Sequence, residues 1–244
     1  MEGHRPNTYG DAFADVYDAW YSDVTDATAT AELVDAEAPP GTILELGVGS
    51  GRLAYPLLAR DRVVIGLDAS RQMLQRCERR PNLHLVEGDM AALPLHGQVA
   101  GALCAFNTLF NLTTAEAQQA VFTQTAQLLM PGGVLVIEAI TGTDLGDGPR
   151  SSVGVSTMKT DEVVLSATLL DHEEQTISGQ HIQLRENGVT LRPWALRWAT
   201  PDQLDRMAEL VGLRLDTRLA DWDRSAFDAT ATKHISLYRK PAAT

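Results

Sequence analysis

A chain of 244 residues, 44% of them apolar, is long enough for one α/β domain with an elaboration and a full core. Its formal charge of −12 repels a phosphate backbone, so nucleic acid is not an expected partner. Six scattered histidines and two cysteines form no ligand-spaced cluster, so no metal is expected, and Cys77 and Cys104 suit small core residues rather than a disulfide. No apolar run opens the chain at Met1–Thr8, and the longest apolar stretch, around Gly101 to Phe110, is too short to cross a bilayer. These features predict a cytoplasmic protein without signal peptide or membrane contact.

Phe13, Val16, Tyr17, Trp20 and Tyr21 recur at helical spacing across residues 11–21, with Asp11, Asp15, Asp18 and Ser22 elsewhere on the wheel. This predicts an amphipathic helix with an aromatic stripe. A second helix over 26–37 stops at Pro39-Pro40-Gly41. Strands and helices then alternate: strand 42–46, helix 51–60, strand 62–67, helix 70–79 capped by Ser70, strand 82–86 and strand 99–105. Thr113 and Glu116 read as a capping box for a helix to about residue 129, and Pro131-Gly132-Gly133 feeds strand 134–138. Residues 152–198 hold no helical pattern and read as strands near 162–170, 176–185 and 189–198, with a type I′ hairpin signal at Asn187-Gly188. Thr200-Pro201-Asp202-Gln203 caps a helix ended by Gly212, and strands 213–219 and 233–239 close the chain. The sum is a doubly wound, mostly parallel seven-stranded α/β sheet with an antiparallel insertion after strand five. Residues 1–40 form a helical lid, 41–150 with 199–244 the ligand-binding domain, and 151–198 an insertion on the substrate side.

In such a sheet ligands bind beyond the carboxyl ends of the strands. The stretch Ile43 to Leu53 reads as a buried strand, the turn Gly47-Val48-Gly49-Ser50-Gly51 and a helix start near Ser50. Glycines at every second position let a ligand approach the backbone, and a helix N-terminus offers free N–H groups to a carboxylate or phosphate. Asp68, after the second strand, can accept both hydroxyls of a ribose or simply cap the next helix. Asp89 can accept from an adenine amino group while the Met90 N–H addresses a ring nitrogen; the alternative is an ordinary polar loop. After the fourth strand, Asn107 supplies a donor and an acceptor, and Phe110 either paves a pocket wall or packs in the core.

Glu45-Leu46-Gly47-Val48-Gly49-Ser50-Gly51, Asp68, Gly88-Asp89-Met90 and Pro131-Gly132-Gly133 together resemble the class I S-adenosylmethionine-dependent methyltransferases, over about residues 41–140. The resemblance implies a Rossmann-like fold with S-adenosylmethionine as cofactor. Gly47, Gly49 and Gly51 would pass its methionine part, Asp68 would hold the ribose, Met73 would border the adenine and Asp89 would read its amino group. Glu45, Met90 and Phe106 complete the implied cofactor-binding set. The Gly-x-Gly-x-Gly spacing differs from the nicotinamide fingerprint Gly-x-Gly-x-x-Gly. More narrowly, the chain resembles bacterial small-molecule N-methyltransferases of the amino-sugar and lincosamide antibiotic type, through its aromatic N-terminal helix and its strand insertion.

Arg52 sits where a helix dipole disfavours a cation, which points to a nearby anion (the cofactor carboxylate, Glu45 or an acidic N-terminal residue); the alternative is an exposed Arg that costs about a few tenths of a kcal/mol. On the acceptor side, the N-terminal helix is expected to cover the site, with the hydroxyls of Tyr9 and Tyr17 as candidate catalytic groups. The competing reading is a stripe that only covers the sheet edge. His181 shares a strand face with Gln183 and Arg185 and is a second candidate on the substrate side, with Tyr17, Asn107 and Phe110. Glu138 either faces the acceptor or caps its strand, and Trp194 and Trp198 either line the acceptor pocket or form a hydrophobic seam. The expected function is methyl transfer to a small molecule at an amine nitrogen; oxygen methylation and a non-catalytic cofactor-binding protein are the alternatives. A homo-oligomer through the insertion's open strand edge is a possibility.

Overall fold

A computed structural model describes residues 1–21, 24–145 and 150–242; Ser22 lies outside them. The helices are α1 (Thr8–Phe13), α2 (Tyr17–Tyr21), α3 (Ala27–Glu37), α4 (Ala54–Leu58), α5 (Arg71–Leu74), α6 (Ala115–Leu128) and α7 (Pro201–Glu209). The strands are β1 (Ile43–Leu46), β2 (Val64–Asp68), β3 (Leu83–Glu87), β4 (Val99–Cys104), β5 (Leu129–Ile140), β6 (Ser151–Met158), β7 (Glu162–Asp171), β8 (Thr176–Arg185), β9 (Gly188–Arg197), β10 (Arg214–Leu219) and β11 (Lys233–Arg239). Seven of them form one sheet in the order β10-β11-β5-β4-β1-β2-β3, and β6 to β9 form a second, consecutive sheet. β1 to β5 run parallel, while β11 is antiparallel to both β5 and β10.

Strands buried on both faces must be apolar almost throughout, and β1 and β4 are. Leu44 and Leu46 face a cluster with Phe110, Phe122 and Tyr238; Ile43 and Val64 face the other side, against Leu33, Val34 and Leu57. β1 pairs with β2 on one side and with β4 on the other, so strand order reverses there and the crevice opens above β1 and β4. Among the described residues, no helix is long and apolar enough to cross a membrane.

Several expected elements differ in detail. The helix over 11–21 is broken into α1 and α2, and the cause lies in β9. Arg192 Nη1 donates to the Ala12 carbonyl at 2.5 Å, taking the acceptor that the Val16 N–H would use in a continuous helix; that N–H turns to Phe13 O instead. Arg192 also grips Asp15 through two bonds of 2.5 and 2.8 Å and Gln183 Oε1 at 3.0 Å. The helix after the glycine turn starts only at Ala54, and α5 is one turn long, with Ser70 Oγ accepting from Met73 N. Thr114, not Thr113, caps α6 by accepting from Ala117 N, so Glu116 is one position short of closing a capping box. Pro131-Gly132-Gly133 lies within β5, because Gly132 and Gly133 exchange backbone bonds with Lys240.

The insertion holds one strand more than the sequence suggests. β6 is an exposed edge strand of Ser, Val and Gly in which only Val153 and Val155 alternate as an apolar pair, too short a period to mark a strand in the sequence. The β8–β9 hairpin forms, but Arg185 pairs with Gly188, so its loop is Glu186-Asn187 and the left-handed residue is Gly188, at φ 140°.

Arg192 is nearly inaccessible and anchors the N-terminal segment to the insertion. Arg192→Leu is expected to lower the unfolding free energy by about 1–3 kcal/mol, through the stranded Gln183 and the lost bidentate pair. Hydrogen exchange at residues 8–14 should accelerate while the central strands keep their protection.

Candidate functional site

The chain leaves β1 through three left-handed glycines, Gly47 (φ 73°), Gly49 (φ 57°) and Gly51 (φ 90°). A Cβ on Gly47 would lie 2.4 Å from Thr108 Cγ2, and one on Gly49 would meet Met73 Cε at 3.2 Å. Both glycines line the crevice. Gly51 does not belong with them: a Cβ there would strike the Tyr55 ring at 2.8 Å, on the side where Tyr55 packs, so its absence serves the turn and not a ligand. The turn offers fewer donors than expected. The N–H groups of Gly47 and Val48 both donate to Leu67 O, Gly49 N donates to Asp68 Oδ2 at 2.9 Å and Gly51 N to Val48 O. The turn therefore contributes shape and close approach more than hydrogen bonds. Beneath it, Cys77 Sγ donates to Gly49 O at 3.1 Å, and burial pushes its thiol up to about 12.

Asp68 bonds at the start of α5 and also lines the crevice, where the ribose reading would have it. Its Oδ1 accepts from Ser70 N at 2.8 Å at the start of α5, its Oδ2 holds the glycine turn, and it lines the crevice. Each oxygen retains acceptor capacity. Burial raises its pKa, and the two N–H groups oppose that rise. Asp89 Oδ1 accepts from Ala91 N at 2.8 Å, which fixes the carboxylate beside Met90 and Met73 on the crevice wall. The crevice, about 650 Å³ and open to solvent, is completed by Tyr9, Tyr17, Thr108 and Asn111.

At its inner end a smaller polar recess is lined by Glu45, Ser50, Arg52, Phe106 and Tyr17. Glu45 is fully buried, which pushes its pKa up to about 8 despite the opposing charge of Arg52. Its Oε2 has no partner among the described residues; Arg52 Nη1 donates to Thr25 O at 3.1 Å, while its Nε has none.

A third cavity, about 660 Å³, opens from the crevice toward the insertion and is lined by Tyr9, Tyr17, Tyr21, Phe106, Asn107, Thr108, Asn111, His181, Trp194 and Leu196. Tyr9 stacks on Phe13 at 4.6 Å between ring centres and stands edge-on to Tyr17 at 6.4 Å. Tyr21 bridges Tyr17 at 5.1 Å and Phe106 at 5.9 Å. Burial pushes the Tyr17 phenol up to about 12, with Arg52 opposing, and holds Tyr9 well above its ordinary value. At neutral pH both are neutral phenols that donate or accept hydrogen bonds, not phenolate bases. His181, packed edge-on by Phe13 and Trp20, is lowered by burial and by Arg192, so its imidazole is neutral at pH 7. Asn111 Oδ1, His181 Nδ1 and Trp194 Nε1 are buried without partners among the described residues.

Phe106 (φ 49°) and Asn107 (φ 59°) are consecutive left-handed non-glycine residues at the rim, a conformation costing about 1–3 kcal/mol each. Glu138 holds them. Its Oε2 accepts from Phe106 N at 2.8 Å and its carbonyl from Asn107 N at 3.0 Å, so it serves the loop rather than capping its strand. The Asn107 Oδ1 is committed to Ile140 N at 2.7 Å, so this side chain clasps β5 and does not present its acceptor to a ligand. Phe110 is a core residue at 0% exposure and lines neither of the two large cavities. The tight turn Thr108–Asn111 explains why Phe110 turns inward. In a 3-10 helix residues three apart share a face, so Thr108 and Asn111 line both large cavities while Leu109 and Phe110 enter the core. That polar spacing around two apolar residues was visible in the sequence and was missed, as was Tyr21. Trp194 lines the cavity and Trp198 is buried in the seam, so the two tryptophans divide between the two readings.

A methyltransferase domain profile matches residues 43–133. The structure superposes on the CcbJ methyltransferase from Streptomyces caelestis with a TM-score of 0.90 at 36% identity, covering 98% of this chain and 100% of that one. The cypemycin N-terminal methyltransferase of a Streptomyces species is 25% identical over 219 residues, 86% of this chain and 88% of the relative. The dTDP-3-amino-3,4,6-trideoxy-alpha-D-glucopyranose N,N-dimethyltransferase of Streptomyces venezuelae is 30% identical over 132 residues, 51% of this chain and 56% of the relative. With the reversal of strand order above β1, the glycine turn and the acidic residues ending β2 and following β3, these likenesses establish that the chain belongs to the S-adenosylmethionine-dependent methyltransferases.

Proposed function

We propose that this enzyme methylates an amine nitrogen of a small secondary metabolite, such as an amino sugar or a lincosamide antibiotic precursor, in the cytoplasm. The observation that carries the reading is the meeting of two cavities, one walled by the glycine turn with Asp68 and Asp89 and one aromatic, along the shared wall of Tyr9, Tyr17, Thr108 and Asn111. The CcbJ relative is named only as a methyltransferase, whereas the amino-trideoxysugar relative is named for transfer to nitrogen and the cypemycin one as an N-terminal methyltransferase.

The crevice fits S-adenosylmethionine. Asp68 has acceptor capacity for a ribose, and Asp89, Met90 and Met73 would border the base. In the inner recess the unpartnered Glu45 Oε2 and Arg52 Nε are an acceptor and a donor suited to the ammonium and carboxylate of an amino-acid tail, with Gly47 and Phe106 flanking it. When bound, this cofactor supplies a methyl group already activated on a sulfonium. The chain's own task is then placement and exclusion of water. Tyr9 and Tyr17, as neutral phenols, accept from the acceptor N–H and turn its lone pair toward the crevice. His181, neutral at its Nδ1, takes or relays the proton the nitrogen must lose. Nitrogen is favoured over oxygen because a neutral amine needs no strong base, and the described residues of this cavity include no carboxylate.

Turnover to S-adenosylhomocysteine on a panel of amine-bearing metabolites and their hydroxyl analogues tests the function: methylation of amines alone is expected, and none at all would leave a cofactor-binding protein. Tyr17→Phe should lower kcat by about 10²-fold. In Gly179→Ala the new Cβ would lie 2.2 Å from the Trp194 ring, so the acceptor KM should rise about tenfold while calorimetry shows unchanged cofactor affinity.

Glu45 gives a pH test. Its folded value of about 8 exceeds the ordinary 4.5, so in the free chain its contribution to stability is whole below pH 4.5 and is lost as pH rises through 8. Pairing with an ammonium demands the carboxylate. Calorimetry at pH 6.5 in buffers of different ionisation enthalpy should therefore show about one proton released on cofactor binding, and none in Glu45→Gln.

A further inference from the structure

The insertion sheet has a second face that the site does not use. Across its four strands Val155, Leu165, Ile182 and Leu191 stand in register as one apolar row. The adjacent row, from Met158 to Val189 through Val163 and Leu184, is equally apolar, and the row on the other side, from Val153 to Pro193, contains Gln180 as its one polar member. His181, Arg192 and Trp194 point to the opposite face, against α1 and the acceptor cavity. The outer face is open: Val153 is 72% exposed, Met158 71%, Val189 63% and Leu191 58%. Five of its aliphatic side chains are more than half exposed and lie in adjoining rows across the sheet, the contiguous apolar surface that marks an interface.

We propose that this face packs against the same face of a second copy of the chain, forming a two-fold dimer by sheet-on-sheet stacking. Flat antiparallel sheets bury such faces against one another at about 10 Å, and a two-fold axis sets identical patches face to face. The charge pattern selects a second copy as the occupant. Two chains of net charge −12 repel over most of their surface, but the rows described carry no charged side chain, so they can meet here without like charges opposed. Stacking occurs behind the acceptor cavity, which stays open, and it braces the strands that carry His181 and Trp194. It also differs from pairing along the β6 edge, which would leave the apolar face wet.

Light scattering coupled to size exclusion on the full chain tests this. A species of twice 26.5 kDa is expected. Leu191→Glu and Val155→Lys, both on exposed positions, should weaken the dimer about 100-fold or more and give a monomer that retains its far-ultraviolet circular dichroism and cofactor binding. Val155→Thr, nearly isosteric, should weaken it measurably if the charged variants fail to fold. A wild-type monomer at high micromolar concentration overturns the proposal, including one that binds lipid vesicles instead. So does a dimer or larger assembly indifferent to these substitutions.

Discussion

A buried guanidinium must be answered by acceptors wherever the fold puts it, and in this chain the answer shapes the whole acceptor side. Arg192 takes both oxygens of Asp15, the carbonyl of Ala12 and the amide oxygen of Gln183. Gln183 in turn donates to Glu162, which Arg185 also holds. The network fastens α1 to the insertion, although the two are separated by some 180 residues of sequence. By capturing a carbonyl in mid-helix it bends the chain, so that Tyr9 and Tyr17 converge from two short helices. The aromatic cavity is thus a product of charge compensation as much as of hydrophobic packing.

The opposite wall is held by stored strain. Two consecutive left-handed residues at the end of β4 persist because Glu138 and β5 over-determine them, through bonds to Phe106 N, Asn107 N and the Asn107 side chain. Glu138 is itself buried and raised in pKa, with Thr25 and Lys233 near its carboxylate. The rim of the cavity is therefore rigid before any ligand arrives, and orienting an acceptor against a preset wall is the contribution methyl transfer asks of a protein.

The nucleotide end of the site was legible because its signals are local. The turn at Gly47 and Gly49, the Asp68 that ends β2 and the Asp89 of the next loop each follow a strand of strong apolar pattern, and the reversal of strand order brings them together. The rest depended on partners far along the chain. Nothing within residues 11–21 announces a break whose cause is Arg192. Phe110 enters the core while Thr108 and Asn111 face the cavities, because residues three apart share a face of the 3-10 turn, a geometry the sequence pattern does not announce. β6 offers only Val153 and Val155 as an alternating apolar pair among Ser and Gly, too little to mark a strand, and the Asn107 Oδ1 is taken by Ile140 N of a neighbouring strand.

The thiol of Cys77 under the glycine turn has a practical meaning. Hydrogen-bonded to Gly49 O and held protonated by burial, it resists alkylating and oxidising reagents for as long as the turn stays closed. Its rate of modification would consequently report on how often the turn opens around it.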